Sequence, residues 1–283
     1  MNRRLTVAAG GTAMGAVLLL SGCGGDGSGG TAANVNLSAN EVLLASAEQT
    51  SKADTFQADL TVTTEGSDNG KIRANGQFQL RPTLKFSAQL DEASLGGAAI
   101  PGVKGRAIYT GDVLYAKVPQ LARFVADGKP WVKIDVNQVA QASGFDVRQL
   151  IDQVRKVNPA EQTKMLTGSE DARRVGTEEI NGVETTHYAG TVTVQDALQQ
   201  LDAQTREEVS RHMPKDTDAT MKFDLWTDGE NLPRKLETNV QGDQGHEGKV
   251  TVLYSEYGEP VSVNPPPADQ VGTLSLESFL GGN

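Results

Sequence analysis

The sequence holds one cysteine, Cys23, in 283 residues, which excludes an intramolecular disulfide and any cysteine-rich zinc or iron–sulfur site. It is short of basic residues, with 26 Lys+Arg against 36 Asp+Glu and a net charge of -10. No basic run follows the first few positions, so the concentrated positive face that phosphate backbones require is missing and nucleic acid is excluded as a partner. Histidine is scarce, with only His187, His212 and His246, and they fall on a predicted strand, a helix end and a glycine-rich turn. Such positions suit surface or structural histidines, and no metal or cofactor is expected. The patterns G-x-S-x-G, H-E-x-x-H, C-x-x-C, the P-loop and the EF-hand are all absent, and no catalytic residue can be assigned, so the chain is not read as an enzyme. Glu178, Glu179 and Glu184 flank a tight turn, where carboxylates are ordinarily solvated. With 37% hydrophobic and 22% charged residues the chain is neither collagenous, coiled coil nor disordered, and it can bury one large core or two small ones.

An apolar run long enough to be a permanent membrane span is also lacking. Arg3 and Arg4 precede an uncharged stretch, Leu5 to Leu20, shorter than the ~20 residues that cross a bilayer and weakened as a helix by Gly10, Gly11 and Gly15. This charged-then-apolar order is that of an export signal. The junction Leu20-Ser21-Gly22-Cys23 resembles the lipobox of bacterial lipoproteins, in which the cysteine sulfur is diacylated and the cysteine becomes the new N-terminus. An ordinary signal peptide with an incidental cysteine is the alternative, but the only cysteine stands where a lipobox needs it. Residues 1–22 are thus expected to be a signal peptide and 23–37 a lipidated, glycine-rich tether. Removal of the first 22 residues takes Arg3 and Arg4 with it and moves the charge from -10 to -12. Two acyl chains anchor stably without a transmembrane helix, which places the mature protein on the outer face of the cytoplasmic membrane.

Residues 38–283 are expected to form one domain. Ser38-Ala39-Asn40-Glu41 is a capping box and predicts a helix to about Ala53. Alternation then predicts strands around 56–62, 72–80, 84–90, 103–110, 113–118 and 131–136. Short helices are expected at 137–143, 146–157 and 159–166, strands at 174–180 and 183–194 joined by Asn181-Gly182, and a helix over 195–213. Three strands follow, around 221–226, 236–240 and 250–257, with a last short helix near 275–280. The fold class is α+β: a single antiparallel sheet of about 10 or 11 strands with helices on one face. A sheet of that width curls or splits, and the space beneath a curled sheet can hold an apolar ligand.

The inward candidates for such a cavity are Phe56, Leu60, Phe78, Phe86 and Leu90 on the strands, with Leu150, Ile151 and Val154 on a covering helix. Alternation alone serves equally for a filled hydrophobic core at these positions. The segment from Ala93 to Val103 is apolar, glycine-rich and uncharged, which suits a lip at a cavity entrance or a loop touching a membrane.

The lipobox, Trp131-Val132-Lys133-Ile134-Asp135, the Trp226-Thr227-Asp228-Gly229 hairpin with Leu232-Pro233-Arg234-Lys235, and the ending Tyr254 to Pro266 resemble the LppX/LprA/LprF/LprG family of actinobacterial lipoproteins. That family is similar in turn to the LolA and LolB lipoprotein carriers, a half-barrel with helices over its concave face. The resemblance implies a monomeric, non-enzymatic carrier or presenter of acyl-chain lipids or glycolipids across the cell envelope, working with an envelope transporter. Only Cys23 is matched residue by residue. A lipoprotein with a filled core, acting as an envelope scaffold or stress sensor for a protein partner, is the competing expectation.

Overall fold

In the computed structural model the described residues are 37–65, 69–100, 104–119, 128–136, 158–210, 219–241 and 247–273. Helix α1 (Ala39–Lys52) begins with the expected capping box. The Ser38 backbone N–H donates to the Glu41 carboxylate at 2.7 Å, and Ser38 Oγ accepts the Glu41 N–H at 3.3 Å. The bonds donated by the Ser38 backbone N–H and hydroxyl hold the Glu41 carboxyl below its usual range. Their stabilisation is therefore present above the unfolded-state carboxylate pKa and is lost as pH falls through the folded one. Ser38→Ala is expected to speed amide hydrogen exchange in the first turn of α1.

Among the described residues thirteen strands form one sheet. They are β1 (Thr55–Glu65), β2 (Gly70–Gln79), β3 (Lys85–Leu95), β4 (Ala98–Ala99), β5 (Gly105–Thr110), β6 (Val113–Lys117), β7 (Trp131–Asp135), β8 (Arg173–Ile180), β9 (Val183–Thr193), β10 (Thr220–Thr227), β11 (Pro233–Gln241), β12 (Glu247–Ser255) and β13 (Val271–Thr273). Helix α2 (Pro159–Leu166) lies between β7 and β8, and α3 (Val194–Gln199) and α4 (Ala203–Ser210) between β9 and β10. The spatial order is β13-β7-β6-β5-β3-β2-β1-β12-β11-β10-β9-β8, with β4 paired to β3. The sheet is open and curled, and every pairing is antiparallel except that of β13 with β7.

All eleven strands legible as alternation are present. The two extra ones, β4 and β13, have two and three residues, too few to show a period. The helix expected over 195–213 is two helices instead. Leu201 is buried between them and Asp202 starts the second, its carboxylate accepting the N–H groups of Gln204 and Thr205 at 3.1 and 3.0 Å. The helices expected within 137–157 and near 275–280 lie outside the described residues. At Asn181-Gly182 both φ angles are positive, 51° and 83°, the primed turn whose twist matches that of the strands it joins.

The inward face carries the core. Phe56, Phe78, Phe86, Tyr109 and Leu114 lie on one rung across β1, β2, β3, β5 and β6. Phe56 and Phe78 stack at 4.9 Å between centroids, and Phe86 and Tyr109 at 5.6 Å. The next rung is small: Ala58, Gly76, Ala88, Ala107 and Ala116. This lets the Phe78 ring fold down onto the sheet, and a Cβ at Gly76 would sit 2.9 Å from that ring. Leu43 of α1, Leu166 of α2 and Ala197 of α3 join the same cluster as these aromatics, so the three helices cover one face of the sheet. Among the described residues no helix is long and apolar enough to cross a membrane.

Candidate functional site: a cavity under the curled sheet

Between that face and the helices the packing is incomplete. A cavity of about 1360 Å³ runs from the β2–β3 connection (Leu80 to Lys85) and the β5–β6 turn (Tyr109 to Asp112), past α2 and the α3–α4 junction, to the far halves of β10, β11 and β12. Its floor is Met221, Leu236, Thr238, Val240, Val250 and Val252, which alternation turns inward on three neighbouring strands. Leu84, Met165, Leu166 and Leu201 add apolar wall, and the charged side chains of the lining are Arg81, Lys85, Asp112, Glu161 and Asp202, none of them on the floor strands.

Several polar groups of the lining are held by hydrogen bonds, mostly to residues behind it. Buried Tyr254 donates its hydroxyl to Gln162 Oε1 on α2 at 2.6 Å, and burial pushes its phenol far above the ordinary range, so it stays a neutral donor. Tyr109 donates to Asp112 Oδ1 at 3.0 Å. Asn158 caps α2 by accepting the Ala160 N–H at 3.0 Å, and Arg81 donates to Asp54 Oδ1 at 2.6 Å and to the Ser51 carbonyl at 2.8 Å, strapping the end of α1. Glu161 Oε2 is the exception: it is buried on the lining without a hydrogen-bond partner among the described residues.

Alternation pointed to different residues. Phe56, Phe78 and Phe86 are buried in the aromatic rung and Leu60 packs against the same cluster, while Leu90 lines a separate shallow groove of about 480 Å³ beside Gly105 and Val118. None of these five lines the large cavity. Leu150, Ile151, Val154 and Cys23 lie outside the described residues. The true floor was visible as the alternation in 221–225, 236–240 and 250–252, but nothing local to those strands tells a covered inward position from an open one.

The outer face is built differently around Trp226. His187 stacks on Trp226 at 4.3 Å and 9°, with Nε2 2.8 Å from Asp224 Oδ1, and Lys235 Nζ lies 4.2 Å above the same indole. Trp226 Nε1 donates to Glu178. This ladder seals an outward tryptophan, and His187 is structural here. His212 and His246 lie outside the described residues. Among the described residues no group of three or more His, Cys, Asp or Glu side chains could hold a metal ion.

Comparison with known proteins is consistent with this architecture. Residues 38–263 match the family model LppX_LprAFG lipoprotein. A 31.2 kDa Streptomyces griseus protein encoded in the rplA–rplJ intergenic region is 28% identical over 178 residues, 62% of this chain, and a Streptomyces coelicolor protein is 27% identical over 162 residues, 56% of this chain. The chain spans about half the length of these curated relatives, 57% and 48%. Among solved structures, LprF from Mycobacterium bovis superposes with a TM-score of 0.50 at 15% identity, covering 81% of this chain and 97% of that one, a likeness of fold.

Proposed function

Since the chain belongs to the LppX_LprAFG lipoprotein family, we propose that it is an envelope lipoprotein that holds the acyl chains of a lipid or glycolipid in the cavity under its sheet and carries or presents them across the envelope. Residues 1–22 are its export signal, Cys23 its acylated anchor on the outer face of the cytoplasmic membrane, and 23–37 its tether. No chemistry is assigned to it. The observation that carries this reading is the cavity. At about 1360 Å³ it exceeds the ~300–1,000 Å³ of ordinary small-molecule pockets. Its floor is built from six uncharged side chains, five of them apolar, which is the lining that hydrocarbon requires.

Each buried methylene contributes roughly 0.8 kcal/mol, so holding a long chain is favourable without any specific polar contact. The unpartnered Glu161 oxygen offers an acceptor to a hydroxyl or ammonium group at the polar end of such a ligand. A scaffold with a filled core, the competing reading, is disfavoured by the same open volume.

Native mass spectrometry with lipid extraction, on mature protein carrying Cys23→Ala and purified from an envelope resembling its own, tests the proposal. Acyl species released on unfolding are expected. A lipid-free protein that also takes up no added fatty-acid probe would overturn the carrier reading and return attention to a protein partner.

A further inference from the structure

The far end of the cavity floor does not stop at a wall. Two adjacent rungs of the inward face run on from it across the sheet. One is Thr238–Val250–Val62–Ile72–Ala93, and the next is Val240–Gly248–Thr64–Gly70–Leu95–Ala98. Each starts at residues that line the cavity, and neither contains a charge. The charged residues of this corner alternate onto the opposite face, where Lys71 and Arg73 meet Glu92 at 3.1 and 3.8 Å.

The strip ends at the β3–β4 hairpin, whose Gly96 and Gly97 have φ of 60° and 74° and make a tight turn. Leu95 is 58% exposed, Ile100 43% and Ile72 43%, so this one corner holds three of the six exposed large apolar side chains among the described residues. Scattered exposed leucines need no explanation, but a contiguous uncharged strip joined to a cavity does.

We propose that this strip is the doorway of the cavity and that its hairpin docks into a lipid bilayer, so that an acyl chain passes between bilayer and cavity along the two rungs without entering water. The inference rests on the carrier reading and adds the surface through which it works. A bilayer is favoured over a protein as the occupant. The strip has no charge with which to select a partner, and it continues an apolar cavity. The lipid anchor proposed at Cys23, 15 residues ahead of the domain, keeps the chain at the membrane.

The test uses the full lipidated protein reconstituted into phosphatidylglycerol–phosphatidylcholine vesicles that contain a lipid brominated in its acyl chains. Because the native cysteine is acylated, Leu95→Cys, Ile100→Cys or Val175→Cys supplies a single free thiol for an environment-sensitive fluorophore. Val175 is the control, 54% exposed on the edge strand β8, seven strands from β3 in the sheet order. Probes at positions 95 and 100 are expected to shift to the blue and to be quenched by the brominated chains, while the probe at 175 stays in water. Three results would overturn the doorway: all probes remaining in water, all being quenched alike, or a blue shift at 95 without quenching, which would indicate protein contact. Lipid co-purification, measured separately, distinguishes the two failures. Bound lipid with an unquenched hairpin sinks the doorway and leaves the carrier, whereas a quenched hairpin on a lipid-free protein that takes up no fatty-acid probe sinks the carrier.

Discussion

Asp228→Ala is expected to destabilise the protein by ~3–5 kcal/mol, the range for leaving one partner of a buried ion pair uncompensated. Asp228 follows β10 and its side chain is only 7% exposed. One carboxylate oxygen accepts the N–H groups of Glu230 and Leu232 at 2.9 and 3.0 Å, which folds the turn into β11. The other accepts both Arg234 Nε and a terminal guanidinium nitrogen, at 2.7 and 2.6 Å, two charge-assisted bonds to one oxygen. Alanine therefore releases two backbone donors and strands a guanidinium at once. Arg234 also lies 5.7 Å from the centre of the Tyr257 ring, and Tyr257 donates to the Pro233 carbonyl at 2.9 Å, so the loss spreads into the segment after β12. Urea unfolding should show a lower midpoint at unchanged slope. A change below about 1 kcal/mol would mean that water replaces these bonds and that the turn is held by its strands alone.

Thr238→Trp is expected to remove most lipid binding while leaving the fold in place. Thr238 stands in the middle of the cavity floor, beside Val250 on β12, and has open volume before it. An indole there takes the space of several methylenes. Displacing about four of them at ~0.8 kcal/mol each costs the ligand roughly 3 kcal/mol, more than a hundredfold in affinity. Because the cavity is open at this point, the added ring fills space rather than overpacking a core, and thermal stability should hold or rise. The measurement is fatty-acid probe uptake by the variant against the parent. Undiminished uptake would place the acyl chain elsewhere, with the shallow groove beside Leu90 the next place to look.

How far the site could be read in advance differs between its parts. The capping box of α1, the Asn181-Gly182 turn and α2 at 159–166 appear at the expected residues, because capping, turn chemistry and short-range periodicity are local properties of a few neighbouring side chains. The break at Leu201-Asp202 was hidden, since a buried leucine followed by a carboxylate reads as continuous helix until the cap geometry is seen. Phe56, Phe78 and Phe86 were identified as inward and are inward. They fill the core because they meet as a row of stacked rings over a rung of alanines and glycine, which depends on the register of four strands.

By itself the sequence determined the α+β class, eleven of the thirteen strands among the described residues, and the inward parity of those whose alternation is plain, such as 56–62, 72–80 and 221–225. It also carries the export and lipidation pattern at Cys23. These follow from composition and from periods of two and 3.6, which each segment carries whatever it packs against. The tertiary structure alone decided that the floor lies on β10, β11 and β12, that the aromatic half is solid, and that an uncharged strip leads from the floor to the β3–β4 hairpin. Whether an inward side chain meets another side chain or empty space is set by residues far away in the chain. Here those are the helices that lie over one part of the sheet and leave another part open.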